Sequence, residues 1–477
     1  MSSALDFDLR IDHDRFLSTR DRQLHAILTV TARAGAGDAP AEADGSGYAE
    51  VILVDCSGSM AHPPTKLGAA RRATAAAVEM LPDGVRFAVV EGTHEARMVY
   101  PAHRGLAAAS PATRDEARRE LGRLAAAGGT AIGTWLELAR ELLAEHPEAI
   151  RHALLLTDGR NEHETPQRLA EVLAACAGQF ACDARGVGDA WEPRELTRVA
   201  EALHGTADAV RRPEELEADF RATMRATMAK RVARAGLRIT VVPPARVLSC
   251  RQVHPTIMEL PVTPVDDRSV ACATGSWGVE SREFHLCLEV DPAGRPTGED
   301  LRVARVDLLV DDAPAARPVN ALAHWTEDLA LSSRIDPRVA HYTGQEELSR
   351  LIADGCDAYD AGDRATAAHL LGRAVELATA AGDAFHLEQL RLLVEDVDAA
   401  SVRLRDDLPR LDVISVAVRS SFTVREQDPR AASAPVPAAD APPRVCPAGH
   451  RSPPGARFCQ RCRHEFPDPA DAGPVPA

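Results

Sequence analysis

Apolar and polar positions change period several times along the chain, and each change marks a new element. Leu5, Phe7, Leu9 and Ile11 alternate with polar residues, as do Leu24, Ala26, Leu28, Val30 and Ala32, which predicts two half-buried strands. Residues 35–47 are rich in Gly, Ala, Asp and Ser and read as a loop. Val51–Val54 is a continuous apolar run, the pattern of a strand buried on both faces. A helix over 66–80 follows, then strands over 85–90 and 96–100, and a helix over 114–124. The next helix starts behind Gly128-Gly129, with Trp135, Leu138, Leu142 and Leu143 as its apolar stripe. Ala153–Thr157 is a second fully apolar strand, and Thr165-Pro166 caps and opens a helix through Cys176. A strand over Phe180–Val187 and helices over 193–203 and 214–231 complete the region. Strand and helix alternate from Tyr48 to Arg231, which predicts an α/β domain with a doubly wound, mostly parallel, Rossmann-like sheet.

Beyond Arg231 the period is that of strands, over 237–242, 247–250, 284–290 and 306–310. Phe284, Leu286, Leu288 and Val290 alternate with polar residues, as one face of an antiparallel sheet requires. Short Pro/Gly intervals suggest a β-sandwich, and the two N-terminal strands are expected to join it, so that the α/β domain is inserted in it. Trp277, His285 and Trp325 read as its core. From Gln345 to Asp383 the pattern becomes helical around an Ala361-Gly362-Asp363 turn, with a third helix expected over 385–404. The hairpin resembles a single tetratricopeptide-type repeat, with Gly355, Tyr359, Gly362 and Ala374 at matching positions. One repeat cannot bury its own face, so a small bundle docked on the sandwich is expected in preference to a peptide groove. Leu411–Val424 has strand character, and residues 427–444 form a Pro/Ala-rich tether. The expected divisions are 1–47 (strands of the sandwich), 48–231 (α/β), 232–335 (sandwich) and 336–408 (helices). They continue with 409–444 (strand and linker), 445–467 (a zinc ribbon, below) and 468–477 (a disordered tail).

Length and charge narrow the class. A chain of 477 residues exceeds one hydrophobic core, and three or four domains are expected. The net charge of −16, with no concentrated basic segment, argues against nucleic acid or an anionic membrane as the main partner. No long apolar run and no basic-then-apolar leader is present in the sequence, so neither a membrane span nor a secretory signal is expected. Cys56, Cys176, Cys182, Cys250, Cys272, Cys287 and Cys356 are scattered in apolar settings and read as buried thiols of a reducing cytoplasm.

The candidate chemistry sits where the first buried strand ends. Asp55, Ser57 and Ser59 alternate there as D-x-S-x-S, with Gly58 easing the turn. Thr130 follows Gly128-Gly129, and Asp158 ends the second apolar strand as T-D-G. In an open parallel sheet ligands lie beyond the carboxyl ends of the strands, and oxygen donors of this kind suit a hard cation such as Mg²⁺. Helix and turn capping would explain any one of these loops, but not three at strand ends. The set resembles the von Willebrand factor A domain and its metal-ion-dependent adhesion site, as do the DxSGSM spelling and the F-x-C-x-A-x-G-V-G-D segment. The resemblance implies Ser57, Ser59 and Thr130 as direct ligands of Mg²⁺ or Mn²⁺, with Asp55 and Asp158 acting directly or through water. It further implies an open coordination position that accepts a Glu or Asp of a partner protein.

Enzyme readings of the same loop fail on spacing. A haloacid-dehalogenase site needs an acid where Ser57 stands, and the hydrolase elbow G-x-S-x-G needs Gly where Asp55 stands. No Walker A or dinucleotide glycine pattern occurs, so no catalysis is expected and Cys56 reads as packing.

Near the C-terminus Cys446, His450, Cys459 and Cys462 space as C-x3-H-x8-C-x2-C, a quartet suited to tetrahedral Zn²⁺, with His464 as a competing ligand. Such a short segment must take most of its folding energy from the metal. Arg451, Arg457, Arg461 and Arg463 make it basic, which leaves nucleic acid as a lesser alternative for this segment. The whole layout is similar to bacterial VWA proteins with C-terminal zinc ribbons in kinase/phosphatase stress signalling, which implies a cytoplasmic scaffold. The alternative is an accessory VWA subunit of an AAA+ ATPase or metal-chelatase-like remodelling complex.

Overall fold

Three strands precede the α/β region: β1 (Leu5–His13), β2 (Phe16–Ser18) and β3 (Gln23–Ala34). The structure, a computed structural model, describes residues 5–35, 45–395, 402–425, 444–445 and 451–452. The chain divides into two compact units, Met1–Val424 and Arg425–Ala477.

In the first unit β4 (Tyr48–Asp55), α1 (Thr65–Met80) and β5 (Arg86–Gly92) come next. Then follow β6 (Ala96–Tyr100), β7 (Ala107–Ala108), α2 (Pro111–Leu121) and α3 (Ile132–Ala144). β8 (Ile150–Thr157), α4 (Pro166–Cys176) and β9 (Ala181–Val187) continue the alternation. It ends with α5 (Pro193–Ala202), β10 (Ala207–Val210) and α6 (Leu216–Met228). The sheet order is β10-β9-β8-β4-β5-β6, parallel except for β6 and the short β7, both antiparallel to β5. The apolar run of β4 has a direct cause. Val51 and Leu53 enter a core with α3, α4 and α5, while Ile52 and Val54 enter a second core with α1, α2 and α6. The chain leaves β4 toward β5 on one side and later returns to β8 on the other. That reversal opens a crevice at the carboxyl ends of β4 and β8.

Nine strands follow: β11 (Val232–Val241), β12 (Arg246–His254), β13 (Met258–Leu260), β14 (Thr263–Pro264) and β15 (Ser269–Trp277), then β16 (Ser281–Glu289), β17 (Asp300–Val310), β18 (Ala313–Pro314) and β19 (Val319–Thr326). One sheet runs β1-β3-β16-β12-β13 and the other β14-β15-β11-β17-β19-β2. Their facing side chains, Leu28, Phe284 and Trp277 among them, form a single core. β1 and β3 therefore share a sheet with β16 while β2 edges the other beside β19, and the α/β domain lies between them and the later strands in sequence.

The helical region holds α7 (Leu329–Ser332), α8 (Pro337–Asp360), α9 (Arg364–Ala381), α10 (Ala384–Leu390) and α11 (Arg410–Arg419). Here the sequence reading needs two corrections. The helix expected over 385–404 stops at Leu390, and Val394–Glu395 pairs instead with Arg403–Leu404 as a short antiparallel ladder. The segment with strand character is the helix α11. Val413 and Val416 pack on the α8–α9 hairpin, while Ile414 and Val418 enter the α/β core. A helix buried on two faces reads as an unbroken apolar run, which hides its period. The outer face of β16 is covered as well, and His285 is buried there as a core residue would be: Glu283, His285 and Cys287 are buried along with Phe284, Leu286 and Leu288. There α8 supplies Glu346 to His285 at 3.0 Å and Arg338 to Glu283 at 2.5 Å.

Of the second unit, Arg444–Val445 pairs antiparallel with Arg451–Ser452. The proposed zinc ligands Cys446, His450, Cys459 and Cys462, and His464, lie outside the described residues.

Candidate metal-binding site

The loop after β4, the end of β5 and the loop between α2 and α3 are tied together through their backbones. Cys56 N donates to Gly92 O at 2.8 Å, Gly58 N to Gly128 O at 3.0 Å, and Ala127 N to Cys56 O at 2.7 Å. The Thr130 loop is then fixed from two sides. Trp135 Nε1 donates to Thr93 O at 2.6 Å, while the Thr130 amide donates to His163 Nδ1 at 3.2 Å. A β-carbon on Gly129 would lie 2.0 Å from the His163 ring, so only glycine permits this approach. At the start of α3, Ile132 N donates to Asn161 Oδ1 at 2.8 Å and Gly133 N to Glu164 Oε1 at 2.7 Å, satisfying amides with no partner inside the helix.

This framework brings the five predicted residues to one place. Ser57 Oγ and Ser59 Oγ are 2.9 Å apart, and Ser59 Oγ donates to Asp158 Oδ1 at 2.6 Å. A β-carbon placed on Gly159 would lie 3.3 Å from Ser59 Oγ and 3.4 Å from Thr130 Oγ1, so both hydroxyls border the same small space. Asp55 lies deeper. It accepts from the Ser57 amide at 2.7 Å on one oxygen and from Thr157 Oγ1 at 2.6 Å on the other. Burial pushes its carboxyl up to about 6 although Ser57 and Thr157 donate to it. With both oxygens engaged, Asp55 ties the Ser57 loop to the end of β8. The hydroxyls face a crevice of about 440 Å³, walled also by Arg160 and His163.

Lys66, at the start of α1, is the residue the sequence did not flag. Its ammonium group meets Asp158 Oδ2 at 2.5 Å in a buried ion pair, with the Asp158 side chain wholly inaccessible. The sequence gives little signal for it: Leu67 beside it is the more apolar residue, yet Lys66 is buried and Leu67 only half-buried. Cys56 packs in the core, and burial drives its thiol far above the ordinary range.

The donor set fits a small hard cation. Cis oxygens around octahedral Mg²⁺ lie about 3.0 Å apart, and the two serine hydroxyls already have that spacing. Among the described residues no three His, Cys, Asp or Glu side chains converge as a metal cluster.

Residues 50–209 match the family model of the von Willebrand factor type A domain. A solved von Willebrand factor type A protein from Catenulispora acidiphila is 40% identical, with a TM-score of 0.83 over 89% of this chain and 98% of that one. The chain belongs to the von Willebrand factor type A (VWA) family. That likeness reaches well beyond the VWA domain into the two-sheet and helical regions. The ArnB paralog VWA2 from Sulfolobus acidocaldarius shares the fold at 13% identity and a TM-score of 0.52, over 88% of this chain and 98% of that one. An uncharacterised protein of Synechocystis sp. is 28% identical over 216 residues, 44% of this chain and 50% of the relative, so the chain spans about half that relative's length. VWA domains often mediate protein–protein interaction and commonly bind a divalent metal at such a site. Among the described residues no helix is long and apolar enough to cross a membrane.

Proposed function

We propose that this VWA protein is a non-catalytic interaction scaffold that captures an acidic side chain of a partner protein through Mg²⁺ or Mn²⁺. Ser57, Ser59 and Thr130 would hold the ion directly, with Asp55 and Asp158 supplying charge directly or through water. The observation that carries the reading is the convergence of three hydroxyls beside Asp158 at the mouth of an open crevice, with Ser57 and Ser59 at octahedral spacing. Hydroxyls leave the ion's charge compensated only by two carboxylates, so a carboxylate from outside completes its shell by a charge-rich contact shielded from bulk water. Zn²⁺ held by Cys446, His450, Cys459 and Cys462 would fold a second, tethered contact, raising effective concentration in a cytoplasmic signalling assembly.

The test has two arms. Titration calorimetry with MgCl₂ and MnCl₂ should show one site in the wild-type chain, lost in Ser57→Ala and Ser59→Ala with circular dichroism unchanged. Affinity capture in Mg²⁺ against EDTA, read by mass spectrometry, should give a partner whose retention needs both the metal and Asp55. Ion binding that survives both serine substitutions would overturn the site. Ion binding with metal-independent capture would overturn the capture mechanism.

A further inference from the structure

At the opposite end of the parallel sheet, by the amino ends of β8 and β9, a cavity of about 160 Å³ lies between the VWA domain and the strands β11 and β15. Its wall is largely apolar, with Phe180 from one domain and Ala235 and Ala273 from the other. Two guanidiniums line it as well: Arg151, the second residue of β8, and Arg234, from β11. Arg234 has a loose ion pair to Asp311 at 3.5 Å, with both side chains exposed. Among the described residues Arg151 has neither a carboxylate nor a carbonyl hydrogen-bond partner, although it is only half-exposed. Burial and then the charge of Arg234 lower its proton affinity, and Glu148 offsets them only in part. His204 lines the cavity as a neutral ring, held down to about 4 by burial and Arg282.

Arg151 and Arg234 bring two positive charges to one small, largely apolar space, and an anion between them would offset their mutual repulsion. Planar guanidiniums match carboxylates in geometry, and a dry cavity of about 150 Å³ holds a molecule of benzene size. We propose that this cavity binds a compact organic carboxylate, with its anionic head on Arg151 and Arg234 and an apolar body of about one ring against Phe180 and the alanines. Such a ligand would touch both domains at once and so stiffen the junction on which the metal-bearing domain sits. This site is independent of the metal crevice.

The full chain would be titrated with benzoate, its neutral isostere benzamide, and acetate, followed by calorimetry and thermal unfolding. Benzoate should saturate with a Kd at or below about 1 mM, with benzamide and acetate each at least about tenfold weaker. Arg151→Gln should weaken benzoate by about tenfold or more. Ala273→Leu, at an exposed position on the cavity mouth, should block it without threatening the fold. No saturation by about 10 mM benzoate, or equal binding of benzoate and benzamide, would overturn the proposal. So would undiminished binding in Ala273→Leu, which keeps the test decisive even if Arg151→Gln does not fold.

Discussion

Replacing Lys66 by Met separates the ion reading of the crevice from any question about partners. The Lys66 ammonium is the nearest cation to Asp158, whose side chain is completely buried while that of Lys66 is 10% exposed. Breaking a buried pair by removing one member costs about 3–5 kcal/mol, because the remaining charge is left uncompensated. Ser59 still donates to Asp158 at 2.6 Å, and the apolar Met side chain returns about 1 kcal/mol, so the net loss is about 2–4 kcal/mol. For a unit of this size that corresponds to a melting point lowered by about 2–5 °C in EDTA. A divalent ion among Ser57, Ser59 and Thr130 would give Asp158 a new counter-charge. Lys66→Met should therefore gain more from millimolar MgCl₂ than the wild type does, closing most of the gap. Differential scanning calorimetry in EDTA and in MgCl₂ measures all four values. A variant that melts with the wild type in EDTA would refute the buried-pair argument, and one that falls in EDTA but gains nothing extra from Mg²⁺ would refute the ion at Asp158.

Three other outcomes follow from packing and charge. Gly92→Ala would put a β-carbon 2.5 Å from the Trp135 ring, and overpacking of that kind costs about 1–3 kcal/mol in urea denaturation; an unchanged midpoint would mean the ring does not pack there. Ile414→Asp places a charge in the fully buried face of α11, and hydrogen exchange over residues 410–419 should accelerate while the β4 and β8 amides stay protected. Equal protection in both proteins would contradict the docking. His152 is the pH probe: burial opposes its charge, but Glu50 at 2.9 Å and Asp183 at 3.1 Å outweigh that and hold it up to about 10. Its folded affinity for the proton exceeds the unfolded one, so the stabilisation is complete below about pH 6.5 and is lost as pH rises toward the folded value. The urea-midpoint gap between wild type and His152→Gln should thus be widest near pH 6 and narrow near pH 10; a gap independent of pH would count against a charged imidazole.

Local pattern was enough for much of this protein. The unbroken apolar run of β4 implies burial on both faces, because alternate side chains must each find a core, and two cores are present. D-x-S-x-S and T-D-G were legible because each is a short motif placed by the strand before it, and Thr130 because two glycines precede it at the start of α3. The α8–α9 hairpin was legible for the same reason, its turn being spelled in three adjacent residues. Long-range contact decided the rest. Nothing local distinguishes Lys66 from a solvated lysine, since its partner Asp158 lies 92 positions away. The helix α11 looked like a strand because two separate surfaces bury it. Nothing local names the partners on the outer face of β16, where Glu283 and His285 are matched by Arg338 and Glu346 of α8, not by water. Sequence determines what each segment can bury within its own period; which charges and faces meet depends on loop closures that no local window contains.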